Sequence, residues 1–188
     1  YKIGDADDAF KKCDLVVEKE VELQTVHQGY IEPHSGTAIW DEDDRVKVWT
    51  STQGSFSNRD SVSKVLNLDV SRVKVTPMEI GGGFGGKIPV YLEPIAAVLS
   101  KKSRRPVQLV MSRTDVFDAS GPAPGGKVIV KIGVDKNGKM LAGYADIRLE
   151  AGGYPEAFIE AAAKCVFSCY DIPSMDIEAY DVLVNKPS

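Results

Sequence analysis

The stretch Gly81-Gly82-Gly83-Phe84-Gly85-Gly86-Lys87 contains five glycines in seven residues, with one aromatic residue among them. Glycine adopts positive φ angles at little steric cost and lets the backbone approach another molecule closely. Ordering glycine also costs more conformational entropy than ordering any other residue, so packing alone is a poor reason for such a dense run. The stretch therefore predicts a loop that binds a ligand.

One motif that fits these residues is the phosphate-binding loop, G-x-x-x-x-G-K-[ST]. Residues 81–87 satisfy its first seven positions. The eighth position should be Ser or Thr, because its hydroxyl binds Mg²⁺, but it is Ile88 in this chain. This difference argues against a nucleoside triphosphatase.

A second motif is the dinucleotide fingerprint G-x-G-x-x-G, which Gly81, Gly83 and Gly86 match. It requires an acidic residue about 20 positions further on, after the next strand, to bind a ribose hydroxyl. The next predicted strand ends near residue 111 and is followed by Ser112 and Arg113. The motif is therefore incomplete, although a non-catalytic domain that binds an anion or nucleotide through the loop stays open as an alternative.

The composition is that of a globular protein. Of 188 residues, 43% are hydrophobic and 27% are charged, and a net charge of -4 argues against nucleic acid as a partner. No apolar run approaches the roughly 20 residues that span a bilayer, so no membrane partner is expected. Three cysteines are an odd number, which favours a reducing, cytoplasmic setting. The spacing of Cys165 and Cys169 predicts two thiols on one helix face, buried against a sheet.

Periodicity and turn residues predict an α+β fold, a mixed sheet with packed helices. Helices are expected over residues 5–13, 55–68, 90–102 and 157–169, and strands over 14–23, 37–40, 46–50, 72–76, 106–111, 128–134, 140–150 and 175–184. The Gly- and Pro-rich segment at 120–126 is a candidate boundary within the domain.

Three polar features have a structural and a functional interpretation. His27 and Glu32 could form an acid–base pair, but a lone histidine is more often a structural residue. Glu93 favours the start of a helix over a catalytic role. The acidic residues 41–44 favour an exposed turn over a cation site, because they lack the glycine-containing spacing of a calcium loop.

One family has a loop that matches all seven residues of this stretch. The chain resembles the molybdopterin-binding subunit of the xanthine dehydrogenase, aldehyde oxidase and carbon monoxide dehydrogenase family. Further landmarks follow in the family's order over most of the chain: Gly4-Asp5 with Ala9-Phe10, His27 with Glu32-Pro33, Val48-Trp49-Thr50-Ser51-Thr52-Gln53, Arg105-Pro106-Val107, and Ser112-Arg113-Thr114-Asp115. Residues 1–188 then correspond to a fragment of the molybdopterin-binding domain, with the fold of its first subdomain.

The resemblance implies a cofactor and residues that contact it. The cofactor is molybdopterin, or its cytosine dinucleotide form, whose molybdenum is held by the pterin and by no side chain of this chain. Gln53 is expected beside the metal, and Phe84 on the opposite side with its peptide N–H towards the oxygen-rich metal centre. The surrounding glycines that would permit this geometry are Gly82, Gly83, Gly85 and Gly86.

The resemblance also implies a larger oxidoreductase that oxidises a small aldehyde, an N-heterocycle or a related substrate with oxygen from water. Its general-base Glu is expected beyond Ser188, so the fragment alone should be inactive, and iron–sulfur clusters and FAD are expected on partner subunits or domains. Purine-oxidising members have an acidic residue where this chain has Ile88, and an Arg where it has Ala161. These differences argue against xanthine as the substrate.

Overall fold

A computed structural model describes residues 1–155 and 158–187, which form two compact units. The first unit combines Tyr1–Val26 with the segment that begins at Pro122, and the second comprises His27–Gly121. Each unit has its own sheet with both parallel and antiparallel strand pairs. The predicted α+β class is therefore confirmed, and the chain builds two mixed sheets.

The His27–Gly121 unit is a four-stranded sheet with helices packed on it. Its elements are β3 (Ser35–Trp40), β4 (Val46–Thr50), α2 (Ser55–Leu66), β5 (Val73–Pro77), α3 (Glu93–Ser103), β6 (Val107–Val110) and α4 (Arg113–Ala119). The strand order is β5-β4-β3-β6, and only β4 and β5 run parallel, with α2 as their crossover. The core cluster of the sheet and its helices consists of small or β-branched side chains: Ala38, Val46, Val48, Val62, Val73, Ala96 and Ala97.

A buried carboxylate lies inside this unit. Glu93, at the first position of α3, is only 6% exposed. It accepts hydrogen bonds from the Thr50 hydroxyl at 2.9 Å, the Asn58 side-chain amide at 2.9 Å and the Tyr91 backbone N–H at 3.0 Å. Glu93 is therefore a structural acceptor that connects β4, α2 and the segment before α3, as its position at a helix start suggested.

The other unit is a five-stranded sheet. It contains β1 (Lys2–Ile3), α1 (Ala6–Phe10), β2 (Leu15–Leu23), β7 (Gly126–Val134), β8 (Met140–Gly152), α5 (Ile159–Cys165) and β9 (Ser174–Leu183). The strand order is β1-β9-β8-β7-β2, and only β8 and β9 run parallel. Its core consists of Ala145, Ile147, Leu149, Phe167, Ile172 and Ile177.

Several predictions from sequence were wrong in detail. Cys165 and Cys169 are exposed, and α5 ends at Cys165, so the two thiols do not share a helix face. The predicted helix start at Ala157 lies outside the described residues, as does Ser188. Helix α4 was missed, although Ser112 and Asp115 form a reciprocal capping box that the S-x-x-D spacing could have revealed. Among the described residues, none of the helices is both long and apolar enough to cross a membrane.

Glu93 provides a test of this packing. Replacing Glu93 by Ala leaves the Asn58 side-chain amide and the Tyr91 N–H without their acceptor, while the Thr50 hydroxyl keeps the Ser35 carbonyl at 2.9 Å. This change should lower the free energy of unfolding by about 3 kcal/mol, whereas Gln should cost less because it keeps one acceptor. Both tryptophans, Trp40 and Trp49, lie in this unit, so urea unfolding followed by tryptophan fluorescence measures the effect. Exposed Glu42 is the control, and its change to Ala should stay within about 0.5 kcal/mol. Equal losses at both positions would contradict the role of Glu93.

Candidate functional site

The glycine loop follows β5 and has an unusual backbone conformation. Gly82, Phe84 and Gly85 have φ angles of 91°, 50° and 93°, all in the left-handed region. The Gly86 N–H donates to the Gly83 carbonyl at 2.8 Å, so the chain turns tightly within the loop. A positive φ is uncommon for a non-glycine residue such as Phe84, whereas glycine adopts it at little steric cost.

Gln53 supports the loop through its side-chain oxygen. It lies just beyond β4, and its Oε1 accepts the N–H groups of Gly85 at 2.9 Å and Lys87 at 3.1 Å. The Gln53 backbone N–H in turn donates to the Lys87 carbonyl at 3.0 Å. Because two N–H donors point at one terminal atom, that atom is the amide oxygen. The exposed Gln53 Nε2 is left as a donor, and no described residue accepts from it.

An ion pair lies beneath the same loop. The Lys87 side chain is fully buried, and its Nζ is 2.6 Å from Glu32 Oε2. The same oxygen accepts the Gly81 N–H at 2.7 Å. Partial burial raises the pKa of the Glu32 carboxyl, but hydrogen bonds from Lys87 and Gly81 outweigh it, and the net pKa is below the usual value. Glu32 is thus held as a carboxylate, and it is engaged with the loop and makes no hydrogen bond to His27.

Three of the five loop glycines have no room for a side chain, and on the first of them, Gly81, a Cβ would lie 2.5 Å from Glu32 Cβ. A Cβ on Gly83 would overlap Gln53 Oε1, and a Cβ on Gly86 would lie 2.7 Å from Tyr30 Cε1 and 2.9 Å from the Gln28 amide carbon. These contacts are shorter than real Cβ atoms make. The loop is therefore rich in glycine partly because Gln53, Tyr30 and Gln28 approach its backbone closely.

Two histidines, His27 and His34, lie near Tyr30, whose ring packs against Gly86 and Lys87. The buried Tyr30 hydroxyl lies 2.8 Å from His34 Nε2. Burial, with a further contribution from the Lys87 charge, lowers the pKa of His34 to about 4. His27 Nδ1 accepts the Gly29 N–H at 3.0 Å, and burial followed by the Arg113 charge lowers its pKa as well. Both rings are therefore neutral at pH 7 and serve as structural groups.

Several polar atoms around the loop lack partners within the described residues. The backbone N–H groups of Gly82, Gly83 and Phe84 make no hydrogen bond there, and neither does the buried Gln28 Oε1. Successive N–H groups in a loop of positive φ angles form a concave surface that favours anionic oxygens. The Phe84 side chain is 72% exposed, so it is no core anchor. These donors, with Gln53 Nε2, fit an oxygen-rich cofactor.

The described residues contain no group of three or more His, Cys, Asp or Glu side chains that could hold a metal ion. The acidic turn is used structurally, since Asp44 accepts from the Trp40 indole N–H and pairs with Lys101. The sequence analysis missed the pairing of Lys87 with Glu32. The position of Lys87, between a glycine run and Ile88, could have suggested that its side chain is buried. Nothing in the sequence indicates that its partner lies 55 residues away.

Comparison with known proteins identifies the family to which the chain is similar. Residues 1–188 match the family model of the molybdopterin cofactor-binding domain. The chain is 30% identical to the nicotinate dehydrogenase large molybdopterin subunit of Eubacterium barkeri, over 98% of this chain and 44% of that protein. It is 32% identical to indole-3-acetaldehyde oxidase of Zea mays, over 88% of this chain and 12% of that protein.

Solved structures show the same fold. The aldehyde oxidoreductase from Desulfovibrio desulfuricans superposes with a TM-score of 0.82 at 20% identity, over 98% of this chain and 21% of that chain. A Cu,Mo-CO dehydrogenase superposes with a TM-score of 0.78 at 25% identity, over 100% of this chain and 25% of that chain. The chain thus spans less than half the length of each of these relatives.

His34 gives the site a predicted pH dependence. Its pKa is about 4 in the folded protein and about 6.5 when unfolded, so between these values the unfolded chain binds more protons. Lowering the pH from 7 to 5 should therefore reduce the free energy of unfolding, with His34 contributing about 1–2 kcal/mol. Urea unfolding at both pH values should show this loss in the native protein and a smaller loss in His34→Gln. Equal losses would mean that His34 is not held neutral.

Proposed function

The chain belongs to the molybdopterin cofactor-binding domain family, and from this premise we propose that its glycine loop and Gln53 form one wall of a molybdopterin pocket in a larger oxidoreductase. The proposed contacts are Gln53, Gly82, Gly83, Phe84, Gly85 and Gly86. The observation that carries the proposal is a set of donors with no acceptor in residues 1–155 and 158–187: Gln53 Nε2 and the N–H groups of residues 82–84.

The donor set matches the chemistry of the cofactor. Molybdopterin supplies redox chemistry at a metal held by the pterin, so the protein provides orientation and hydrogen bonds in place of metal ligands. Gln53 stays neutral at every pH and, with its oxygen occupied by the loop, can only donate through Nε2. The backbone N–H groups of Gly83 and Phe84 likewise donate without carrying a net charge. The wall we propose therefore orients oxygen ligands through fixed dipoles.

The substrate class follows from the relatives' names and from two positions. Relatives are named for nicotinate, xanthine and aldehydes, which are N-heterocycles or carbonyl compounds. We propose that the whole protein oxidises a small molecule of these classes with oxygen from water. Ile88 and Ala161 offer neither a carboxylate nor a guanidinium group, so purine recognition as in xanthine oxidation is not part of this proposal.

The remaining machinery lies outside this chain in our proposal. The general-base Glu is supplied by a segment beyond Ser188, so residues 1–188 alone should have no activity. Electrons leave through iron–sulfur clusters and FAD on partner subunits or domains. The molybdopterin is the simple form or its cytosine dinucleotide. We place the protein in the cytoplasm, and the free state of Cys13, Cys165 and Cys169 is compatible with a reducing compartment.

Gln53→Glu tests the donor directly. Glutamate keeps an oxygen for the Gly85 and Lys87 N–H groups, but it replaces the Nε2 donor by a second acceptor. In the full-length enzyme we expect kcat/KM to fall at least about tenfold, equal to about 1.4 kcal/mol, while loop stability is kept. Gln108→Ala, on exposed β6, is the control and should leave kcat/KM unchanged. An unchanged rate in Gln53→Glu would remove Gln53 from the site.

Gly85→Val tests the loop conformation. The φ of 93° is strained for a branched residue by about 1–3 kcal/mol, although no atom lies within 4 Å of the new Cβ. Gly138 in the β7–β8 turn is a matched control, because it has a φ of 81° and equally open surroundings. Both valine variants should lose stability, but only Gly85→Val should lose molybdenum and pterin, measured by elemental analysis and pterin fluorescence. Normal cofactor content in Gly85→Val would contradict the proposal.

A further inference from the structure

The buried ion pair holds the glycine loop at both of its ends. Glu32 Oε2 accepts the N–H of Gly81, the first residue of the loop, and the Nζ of Lys87, the last, at 2.7 and 2.6 Å. The Glu32 backbone N–H also donates to the Gly81 carbonyl at 3.2 Å. One carboxylate thus joins the first and the last residue of the seven-residue loop, which lies outside the helices and strands.

Lys87 connects this carboxylate to Gln53. Its side chain is fully buried and its Nζ lies 5.2 Å from the centre of the Tyr30 ring. Its backbone N–H donates to Gln53 Oε1 at 3.1 Å, and its carbonyl accepts from the Gln53 backbone N–H at 3.0 Å. A shift of Lys87 therefore moves the Gln53 amide, whose Nε2 has no acceptor among the described residues.

We propose that Glu32 and Lys87 are positioning residues, which hold the loop in the shape that directs Gln53 Nε2 and the N–H groups of residues 82–84 towards the cofactor. This inference rests on the proposed function of the loop. Neither side chain is proposed to touch the cofactor, since the Lys87 ammonium is buried beneath the loop and the Glu32 oxygen is already shared by two donors.

The chemistry of a buried pair separates positioning from plain stability. Removing one partner leaves the other charge buried without compensation, whereas replacing both by uncharged groups of similar size is often neutral for stability. A Glu32→Gln and Lys87→Met double variant should therefore regain the stability that each single change loses. It cannot regain the hydrogen bonds from one oxygen to both ends of the loop.

The experiment uses the full-length protein with Glu32→Gln, Lys87→Met and the double variant. Hydrogen exchange of the peptide that covers residues 81–88 measures loop order, urea unfolding measures stability, and elemental analysis measures molybdenum. We expect at least tenfold faster exchange in the loop and at least a threefold loss of molybdenum in all three variants, with near-native stability only in the double variant. The exposed pair of Glu20 and Lys127, 2.7 Å apart, is the control, and its Gln and Met variants should change none of these readouts.

The outcomes decide whether Glu32 and Lys87 position the loop. If the double variant regains slow exchange and molybdenum together with its stability, the pair is only structural and the proposal is overturned. Glu32→Asp gives a second readout, because it keeps the charge but shortens the side chain, so the proposal expects faster loop exchange even in a well-folded protein. If the native protein holds no molybdenum, the proposed function fails. Hydrogen exchange of the loop in the cofactor-free protein still tests whether Glu32 and Lys87 position it.

Discussion

The site depends on two side-chain oxygens that satisfy the backbone of a loop without regular structure. Gln53 Oε1 accepts two N–H groups of the loop, and Glu32 Oε2 accepts one N–H together with the Lys87 ammonium. Buried backbone donors need partners, and a glycine-rich loop cannot obtain them from a sheet. The two oxygens accept from Gly81, Gly85 and Lys87, whereas the N–H groups of residues 82–84 make no hydrogen bond within the part of the chain that the structure describes.

The position of Gln53 Oε1 depends in turn on the buried Glu93. It binds Thr50 at the end of β4, three residues before Gln53, and the N–H of Tyr91, four residues after Lys87. The two chain segments that meet at the loop are therefore fixed by the same carboxylate. Because Asn58 of α2 donates to it as well, the helix that follows Gln53 is part of the same arrangement. The loop conformation is the outcome of tertiary packing and is not set by its glycines alone.

The sequence predicted much of the local structure, because hydrophobic alternation and turn residues act over short distances. The β7–β8 hairpin is one example, since its turn at Asp135 and Gly138 is marked by the residues themselves. The five glycines likewise predicted the loop, and the order of landmarks predicted the family, which the comparison confirms. The division into two sheets was not predicted, because strand pairing such as β2 with β7 joins residues more than a hundred positions apart. The Glu32–Lys87 pair and the exposure of Cys165 depend on such long-range packing too.

The Glu32–Lys87 ion pair leaves no net charge beneath the hydrogen-bond donors of the loop and of Gln53. Lys87 is the only cation among the described residues that pairs with Glu32, so the two charges cancel beneath the loop. Burial, together with the same Lys87 charge, lowers the pKa of His34 to about 4, so its ring is neutral at pH 7. The donors near the loop that make no hydrogen bond within the described residues are then an amide N–H₂ and backbone N–H groups, which discriminate by hydrogen-bond geometry more than by net charge. In the function we propose, such a wall would orient oxygen ligands while their charge changes during a redox cycle, because it would hold no counter-ion whose own protonation must follow.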